Sequence, residues 1–307
     1  MKKAMFFLGK GGVGKSTLST ATALALSANQ RILHISLDPA HNLGDIYGVP
    51  LKNRATTLRP GLDGWEVDLA LWVDRYLAES RDELRDQYRY NTSINLDSLF
   101  DILRYSPGTE EYAVLKAIET LYGENEARYD RIIFDTPPTA LSLRFLALPS
   151  LSMRWVKELA GMRETILSRR QTILHLNPES QAVRGATKKE DDPVFDKLTG
   201  IQARLGKMFR LFSTGSFMTV IINDDKLSVA ESRRISQELT KLEIPVHAVC
   251  MNKIACTDPE DRTAAAREIF PGVPLFTTEL VPEGISGPED LNLPGLEPFI
   301  RHIQNWE

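Results

Sequence analysis

Five short apolar segments recur along the chain, and each is typical of a buried β-strand. They are "KAMFFLG", "RILHISLD", "RIIFDTPP", "FMTVIIND" and "PVHAVCMNK". A helical pattern precedes or follows each segment, as in "KSTLSTATALALSA", where Ala and Leu dominate and apolar residues recur at helical spacing. This alternation predicts an α/β fold with a mostly parallel, doubly wound sheet and helices on both faces.

Two longer segments interrupt the alternation and are predicted to be helical. They cover about residues 69–125 and 150–215, and the second holds "MRWVKELAGMRETIL" and "PVFDKLTGIQARLGKMFRLF" on either side of the polar stretch "RGATKKEDDP". We interpret both segments as inserts that build one α-helical subdomain within a single domain spanning residues 1–307.

Composition limits the classes of protein to be considered. The chain has 307 residues, of which 42% are hydrophobic and 25% are charged, and its net charge is −4. These values are typical of a globular protein with a large core, and they give no electrostatic reason to expect nucleic acid or an anionic membrane as a partner. No apolar run is long enough to span a bilayer, so we expect a cytoplasmic protein.

The segment "FFLGKGGVGKSTL" contains a phosphate-binding loop between the first predicted strand and the first predicted helix. Glycines let backbone N–H groups converge on phosphate oxygens, and the helix N-terminus adds partial positive charge. The predicted ATP-binding residues are Gly11, Gly12, Val13, Gly14, Lys15, Ser16 and Thr17. Lys15 would reach the β- and γ-phosphates, and Ser16 would be a ligand of Mg²⁺. The motif needs only one lysine, so Lys10 requires another explanation.

Acidic residues follow two of the predicted strands, where ligands of parallel sheets bind. Asp135 ends "RIIFD" and is predicted to hold Mg²⁺ through water, although Asp before Thr and Pro is also common in turns. In "SLDPAHNLGD", Asp38 is expected near the metal, and Asp45 is the candidate for positioning the attacking water. His41 is interpreted as a hydrogen-bonding group of the turn, with a role as a base left open.

Asn252 and the two cysteines complete the set of candidate residues. Asn252 ends "CMN", and its amide could pair with the donor and acceptor edge of a purine base, although it could equally be an ordinary strand-end residue. Cys250 lies in an apolar run and is predicted to be a buried, inert thiol. Cys256 follows in a loop and could meet its copy across a dimer, but one such cysteine per chain supplies too few ligands to favour a metal site there.

The motifs together resemble the deviant phosphate-loop ATPases of arsenite efflux and tail-anchored-protein targeting. "GKGGVGKST", "DPAHNLGD" and "DTPPTALSLRFLALP" carry the resemblance, with "PGTEE" upstream and "LSVAESRRI" and "MNK" downstream. The resemblance covers nearly the whole chain, and it implies a Mg²⁺-dependent ATPase that hydrolyses ATP to ADP and phosphate. The expected cofactors are therefore ATP and Mg²⁺.

The same resemblance explains the surplus lysine. In this family the equivalent of Lys10 is expected to reach the nucleotide of a partner subunit, so that Lys10, Lys15 and Asp45 would form the catalytic set. A cation close to the β/γ-bridge would stabilise the charge that develops in the transition state. Because the sequence has one phosphate loop, we expect a homodimer.

The chain departs from the family that it resembles in its cysteines. The segment before Asp135 lacks the cysteines that hold metalloid in arsenite-binding members, and the CxxC pair that joins many targeting factors through zinc is missing. The switch motifs are intact, and the resemblance implies a switch ATPase whose helical subdomain binds a hydrophobic client such as a transmembrane helix for delivery to a membrane receptor. The alternatives are an energising subunit of an anion or metalloid efflux pump, and a nucleotide-dependent scaffold with low turnover.

The predicted client groove lies on the second helical insert. Apolar residues at helical spacing would form its walls, although the same stripes could pack as ordinary core. One helix would contribute Trp155, Leu159, Met162 and Ile166, and the other Phe195, Leu198, Met208, Phe209 and Phe212.

Overall fold

The computed structural model describes residues 3–40, 42–87, 96–179, 185–254, 259–281 and 287–306. Eight strands lie within these ranges and form one sheet. They are β1 (Ala4–Leu8), β2 (Ile32–Ser36), β3 (Thr56–Arg59), β4 (Leu62–Glu66), β5 (Arg131–Asp135), β6 (Ser216–Asn223), β7 (Ala248–Ile254) and β8 (Leu275–Glu279).

Ten α-helices lie within the same ranges, together with two short 3₁₀ turns at Lys189–Asp191 and Pro288–Leu291. The helices are α1 (Lys15–Leu26), α2 (Asn42–Tyr47), α3 (Leu69–Gln87), α4 (Leu96–Leu103), α5 (Thr109–Asn125), α6 (Thr139–Leu176), α7 (Pro193–Ser213), α8 (Lys226–Lys241), α9 (Pro259–Ile269) and α10 (Leu296–Gln304).

The strand order is β3-β4-β2-β5-β1-β6-β7-β8, and every neighbouring pair except β3–β4 is parallel. All residues of β1, β2 and β5 are buried. This is why their sequences are mostly continuous apolar runs and do not alternate between apolar and polar residues. The mostly parallel α/β sheet predicted from the sequence is confirmed. The antiparallel β3–β4 hairpin forms one edge and was not expected.

Parallel pairing brings the carboxyl ends of the central strands to one edge of the sheet. Phe7 and Ser36 are both in register with Asp135 on β5, and Asn223 on β6 is in register with Asn252 on β7. The residues that follow these strands therefore meet at this edge, which is the usual ligand site of such folds.

The C-terminal helix α10 packs with its apolar side in the core. Phe299 and Ile303 are fully buried, and the Phe299 ring lies edge-on to Phe7 and Phe276, with ring centroids 6.4 and 5.4 Å apart. The buried residues Leu296, Phe299, Ile300 and Ile303 recur at helical spacing, as in an amphipathic helix. None of the helices in the described ranges is long and apolar enough to cross a bilayer.

The chain divides into two compact units. The larger comprises residues 1–146 and 213–307, and the smaller comprises residues 147–212. The smaller unit corresponds closely to the second predicted insert. The first insert, 69–125, groups with the larger unit, where α3, α4 and α5 pack together, so this partition does not join the two inserts in one subdomain.

The smaller unit contains most of α6, the 3₁₀ turn and most of α7. Asp192 is fully buried, and its carboxylate pairs with Arg163 at 2.6 Å and accepts a hydrogen bond from the Phe195 backbone at 2.8 Å. The hydrogen bond from Arg163 holds the pKa of Asp192 below its usual range. This buried ion pair connects the polar stretch before α7 to α6.

Candidate functional site

The phosphate loop runs from the end of β1 to the start of α1, as predicted. Two of its glycines are required by close packing: a Cβ at Gly9 would lie 2.6 Å from the Ile221 carbonyl oxygen, and a Cβ at Gly14 would lie 2.2 Å from Nδ2 of Asn252. Both residues also have positive φ angles, 156° and 94°. Lys15 is the first residue of α1, so the free N–H groups of the helix N-terminus belong to the loop.

Three lysines surround this loop, and sequence reasoning had identified two of them. Lys15 is buried, with its ammonium 3.5 Å from the Lys10 carbonyl oxygen. The partly exposed Lys10 ammonium is 3.9 Å from the carboxylate of Asp225, which caps α8. The third is Lys253, whose ammonium donates a hydrogen bond to the Gly12 carbonyl at 3.0 Å. The backbone of Lys253 itself has a positive φ of 60°.

Asn252 forms the wall behind the loop. Its Nδ2 donates to the Val13 carbonyl at 2.8 Å, and its Oδ1 accepts from the Thr278 hydroxyl at 2.8 Å and from the Lys253 backbone at 2.9 Å. The side chain is buried, so these bonds shape the loop in a low-dielectric environment. One amide hydrogen of Asn252 is left over, and its contact with a purine base stays a prediction.

Asp135 lies buried beside the loop with an unusual electrostatic environment. Burial is the largest influence on its pKa and raises it, as does Asp38, whereas the Ser16 hydroxyl and the Lys15 ammonium lower it. With all of these influences the pKa is raised to about 7. Neither carboxylate oxygen of Asp135 has a hydrogen-bond partner within the described ranges. Buried polar groups are normally paired, so two unpaired carboxylate oxygens beside the loop suit a cation.

The residues around Asp135 fit a magnesium ion. Asp38 is buried, and its Oδ1 accepts a hydrogen bond from Ala40 at 3.0 Å, while the Leu37 backbone donates to the Asp135 carbonyl at 2.9 Å and joins the two strand ends. Mg²⁺ prefers carboxylate and hydroxyl oxygens and keeps several waters. Ser16, Asp38 and Asp135 would hold the ion, which when bound neutralises charge on the phosphates.

We expect the Asp135 carboxylate to make the stability of the nucleotide-free protein depend on pH. With a folded pKa of about 7 and an ordinary value of 3.8, the folded protein keeps a proton that the unfolded chain loses between about pH 4 and 7. The contribution of Asp135 to stability therefore falls as the pH rises through this range, and it is constant above it.

Asp135→Asn removes this titration. The free energy of unfolding of the variant at pH 8 should exceed that of wild type by up to about 4 kcal/mol. The reason is that folding displaces the pKa of Asp135 by about three, and a displacement of one corresponds to 1.36 kcal/mol. The difference should shrink towards pH 5. Chemical denaturation without nucleotide at several pH values measures both, and a difference that does not vary with pH would contradict the expectation.

Asp45 lies on α2, and its side chain is exposed. Two neighbours on the same helix are anchored in the core: the Gly44 backbone donates to Glu66 at 2.8 Å, and the Tyr47 hydroxyl bonds His34 at 2.9 Å. Glu66, His34 and Tyr47 were not identified from the sequence. His41 and Cys256 lie outside the described residues, whereas Cys250 is buried as predicted, and burial raises its pKa to about 12.

On the smaller unit, the predicted groove residues divide into two groups. Trp155, Leu159, Met162 and Ile166 on α6 are exposed, and Phe195, Leu198 and Phe209 on α7 are partly buried. Met208 and Phe212 are buried, so the interpretation of these two as groove surface is wrong for this structure.

A glycine loop between a buried strand and a helix, a buried lysine at the helix start and the unpaired carboxylate of Asp135 at a strand end define a phosphate-loop NTPase. The sequence model of the family described as "Anion-transporting ATPase" matches residues 2–270. The chain belongs to this family and is an ATPase.

Individual relatives cover most of the chain. "Putative arsenical pump-driving ATPase 2" of Aquifex aeolicus is 29% identical over 269 residues, which are 87% of this chain and 85% of the relative. "ATPase get3" of Schizosaccharomyces pombe is 31% identical over 257 residues, 82% and 73% of the two chains. "ATPase ASNA1 homolog 1" of Paramecium tetraurelia is 28% identical over 271 residues, 86% and 79%.

Proposed function

We propose that this ATPase is a homodimeric, Mg²⁺-dependent switch in the cytoplasm that binds a hydrophobic helix of a client protein for delivery to a membrane receptor. The observation that carries the proposal is an exposed apolar stripe on α6. Seven large apolar side chains of this helix are at least 41% exposed: Leu151, Trp155, Leu159, Met162, Ile166, Ile173 and Leu176.

The seven side chains share one face of the helix. At about 100° per residue they fall within an arc of roughly 100°, and from Leu151 to Leu176 the stripe is about 38 Å long at 1.5 Å per residue. A transmembrane helix needs about 30 Å of apolar length. The stripe therefore has the length and chemistry to cover such a helix, and an exposed patch of this kind in a soluble unit marks an interaction surface.

The site chemistry supports a hydrolytic switch that needs two subunits. Ser16, Asp38 and Asp135 provide the oxygens for Mg²⁺, Lys15 binds phosphate and Asp45 positions water. The Lys10 ammonium is paired only weakly, with Asp225 at 3.9 Å, and is 37% exposed, so it is available to act on the nucleotide of a second copy.

We expect the α6 stripe to bind a client helix only when ATP holds the dimer closed. In an Asp45→Asn background with ATP and Mg²⁺, an apolar helical peptide should protect residues 153–179 and 185–212 from hydrogen exchange. Trp155→Asp and Met162→Asp should abolish this protection, because each places a charge in the contact, while nucleotide binding persists.

Ser168→Asp is the matched control, since it adds the same charge to an exposed position of α6 off the stripe. Circular dichroism establishes that each variant is folded. Protection that survives both stripe substitutions, or loss of protection in Ser168→Asp as well, would count against this client surface.

The names of two Aquifex aeolicus relatives favour a second candidate, an energising subunit of a metalloid efflux pump. The chain has two cysteines, and the buried Cys250 thiol, with its raised pKa, is a poor metalloid ligand. Arsenite-stimulated ATP hydrolysis would support the pump, and single-turnover hydrolysis with no client or metalloid effect would support a low-turnover scaffold.

A further inference from the structure

We infer that Ser19, His34 and Tyr47 form a buried hydrogen-bond relay that couples the phosphate loop to the position of Asp45. The inference rests on the proposed role of Asp45 in positioning water. It assigns Tyr47 and His34 as positioning residues of the ATPase reaction, acting through α2.

The relay joins three elements through the dry core. His34 lies in the middle of β2, with Nδ1 2.9 Å from the Tyr47 hydroxyl on α2 and Nε2 3.1 Å from the Ser19 hydroxyl on α1. The Ser19 hydroxyl in turn donates to the Ser16 carbonyl at 3.1 Å. Ser19 and His34 are fully buried and Tyr47 is nearly so. A continuous path thus runs from the expected magnesium ligand to the helix that carries Asp45.

One direction of donation satisfies every group of the relay. If Ser19 donates to the Ser16 carbonyl, His34 Nε2 donates to the Ser19 oxygen, and the Tyr47 hydroxyl donates to His34 Nδ1. This arrangement needs a neutral imidazole. Burial lowers the pKa of His34 to about 3, so the ring is neutral at physiological pH. Burial also raises the pKa of Tyr47 above its usual range, so the hydroxyl keeps its proton.

The placement of Asp45 makes the relay consequential. Asp45 lies between Gly44, held by Glu66, and Tyr47, held by His34. Residues two positions apart on a helix point in nearly opposite directions, so anchoring Tyr47 in the core sets the direction of the exposed Asp45. Breaking a link of the relay would leave a buried polar group unpaired. A displacement of the Ser16 carbonyl would therefore be transmitted to α2 through the relay.

Tyr47→Phe tests the relay with the least disturbance, because the ring and its edge contact with His34 are kept. We expect kcat for ATP hydrolysis to fall about tenfold with KM for ATP unchanged, since Asp45 is misplaced while the phosphate loop is intact. Ser19→Ala, at the other end of the relay, should have the same effect.

Tyr129→Phe is the matched control. Tyr129 is also buried and donates to Asp63 at 2.5 Å, but it lies just before β5, at the end of the sheet away from the phosphate loop. It should lose thermal stability to a similar degree and keep the wild-type kcat. An equal fall of kcat in Tyr129→Phe, or a wild-type kcat in Tyr47→Phe, would overturn the inference.

A double variant separates positioning from stability. His34→Leu with Tyr47→Phe removes both polar partners, so the melting temperature should recover relative to Tyr47→Phe, because no unpaired group is left. The kcat should stay low, since the coupling is still absent. Recovery of kcat together with stability would show a merely structural role and overturn the inference.

The dependence on Asp45 is tested by combining Tyr47→Phe with Asp45→Asn. If Tyr47 acts through Asp45, the combined variant should hydrolyse ATP no more slowly than Asp45→Asn alone. A further tenfold loss would overturn the inference. If Asp45→Asn keeps wild-type turnover, the proposed role of Asp45 fails together with the relay. If only Tyr47→Phe does so, the relay fails and the role of Asp45 stands.

Discussion

Asp45→Asn is expected to bind ATP and Mg²⁺ as wild type does and to hydrolyse ATP at least about a hundredfold more slowly. The carboxylate is exposed on α2, between Gly44 and Tyr47, which are both held by hydrogen bonds to the core. An amide of the same shape cannot accept a proton from water, so it removes the chemistry while keeping the geometry. Phosphate release and equilibrium nucleotide binding measure the two properties separately.

Asp101→Asn is the matched control for this variant. Asp101 is an exposed acid on α4, and the substitution makes the same change of charge and shape. We expect its turnover to equal that of wild type. Undiminished turnover in Asp45→Asn would remove Asp45 from the mechanism, and a parallel loss of nucleotide affinity would assign it to binding instead.

Lys10→Ala is expected to abolish hydrolysis while the single chain keeps most of its affinity for nucleotide. The reason is that Lys10 would act on the phosphates of the partner, whereas Lys15 acts on those of its own chain. Lys15→Ala should lose nucleotide affinity itself. Lys241→Ala, which removes an exposed lysine paired with Glu238, should leave hydrolysis unchanged.

Mixing the two inactive variants provides the decisive measurement. In a mixed dimer, the site on the Lys10→Ala chain has its own Lys15 and receives Lys10 from the partner, so one site of two is complete. Random pairing in a symmetric dimer makes half of the dimers mixed, and each mixed dimer has one complete site of two. The mixture should therefore recover roughly a quarter of the wild-type activity. No recovery in confirmed mixed dimers would show that Lys10 acts on its own chain or not at all.

The sequence by itself determined the central part of the fold. Strands β1, β2, β5, β6 and β7 are largely buried on both faces. Each therefore has a mostly apolar sequence, which can be recognised between more polar flanking residues. The phosphate loop was equally plain, because its glycines, Lys15 and Ser16 are adjacent in the chain. Asp135 could be found as an acid at the end of a strand, and Asp38 as an acid just after one.

Strands at the edge and part of the helical insert were beyond sequence reasoning. The strands β3, β4 and β8 are only partly buried, so their apolar patterns are weak. On α7 an amphipathic stripe identified a buried face but not what buries it. Met208 and Phe212 were therefore assigned to a groove, although the tertiary structure buries both.

Only the tertiary structure decided how the site is held. Asn252 supports the Val13 carbonyl from 239 residues away, and Lys253 reaches Gly12 from 241 residues away. His34 reads as one polar residue within an apolar strand, and its partners Ser19 and Tyr47 lie on two different helices. Local patterns record whether a residue is buried, because burial selects for apolar side chains at regular spacing. Local patterns do not predict which distant group forms a hydrogen bond with a buried polar atom, because that pairing depends on which residues the folded chain brings together.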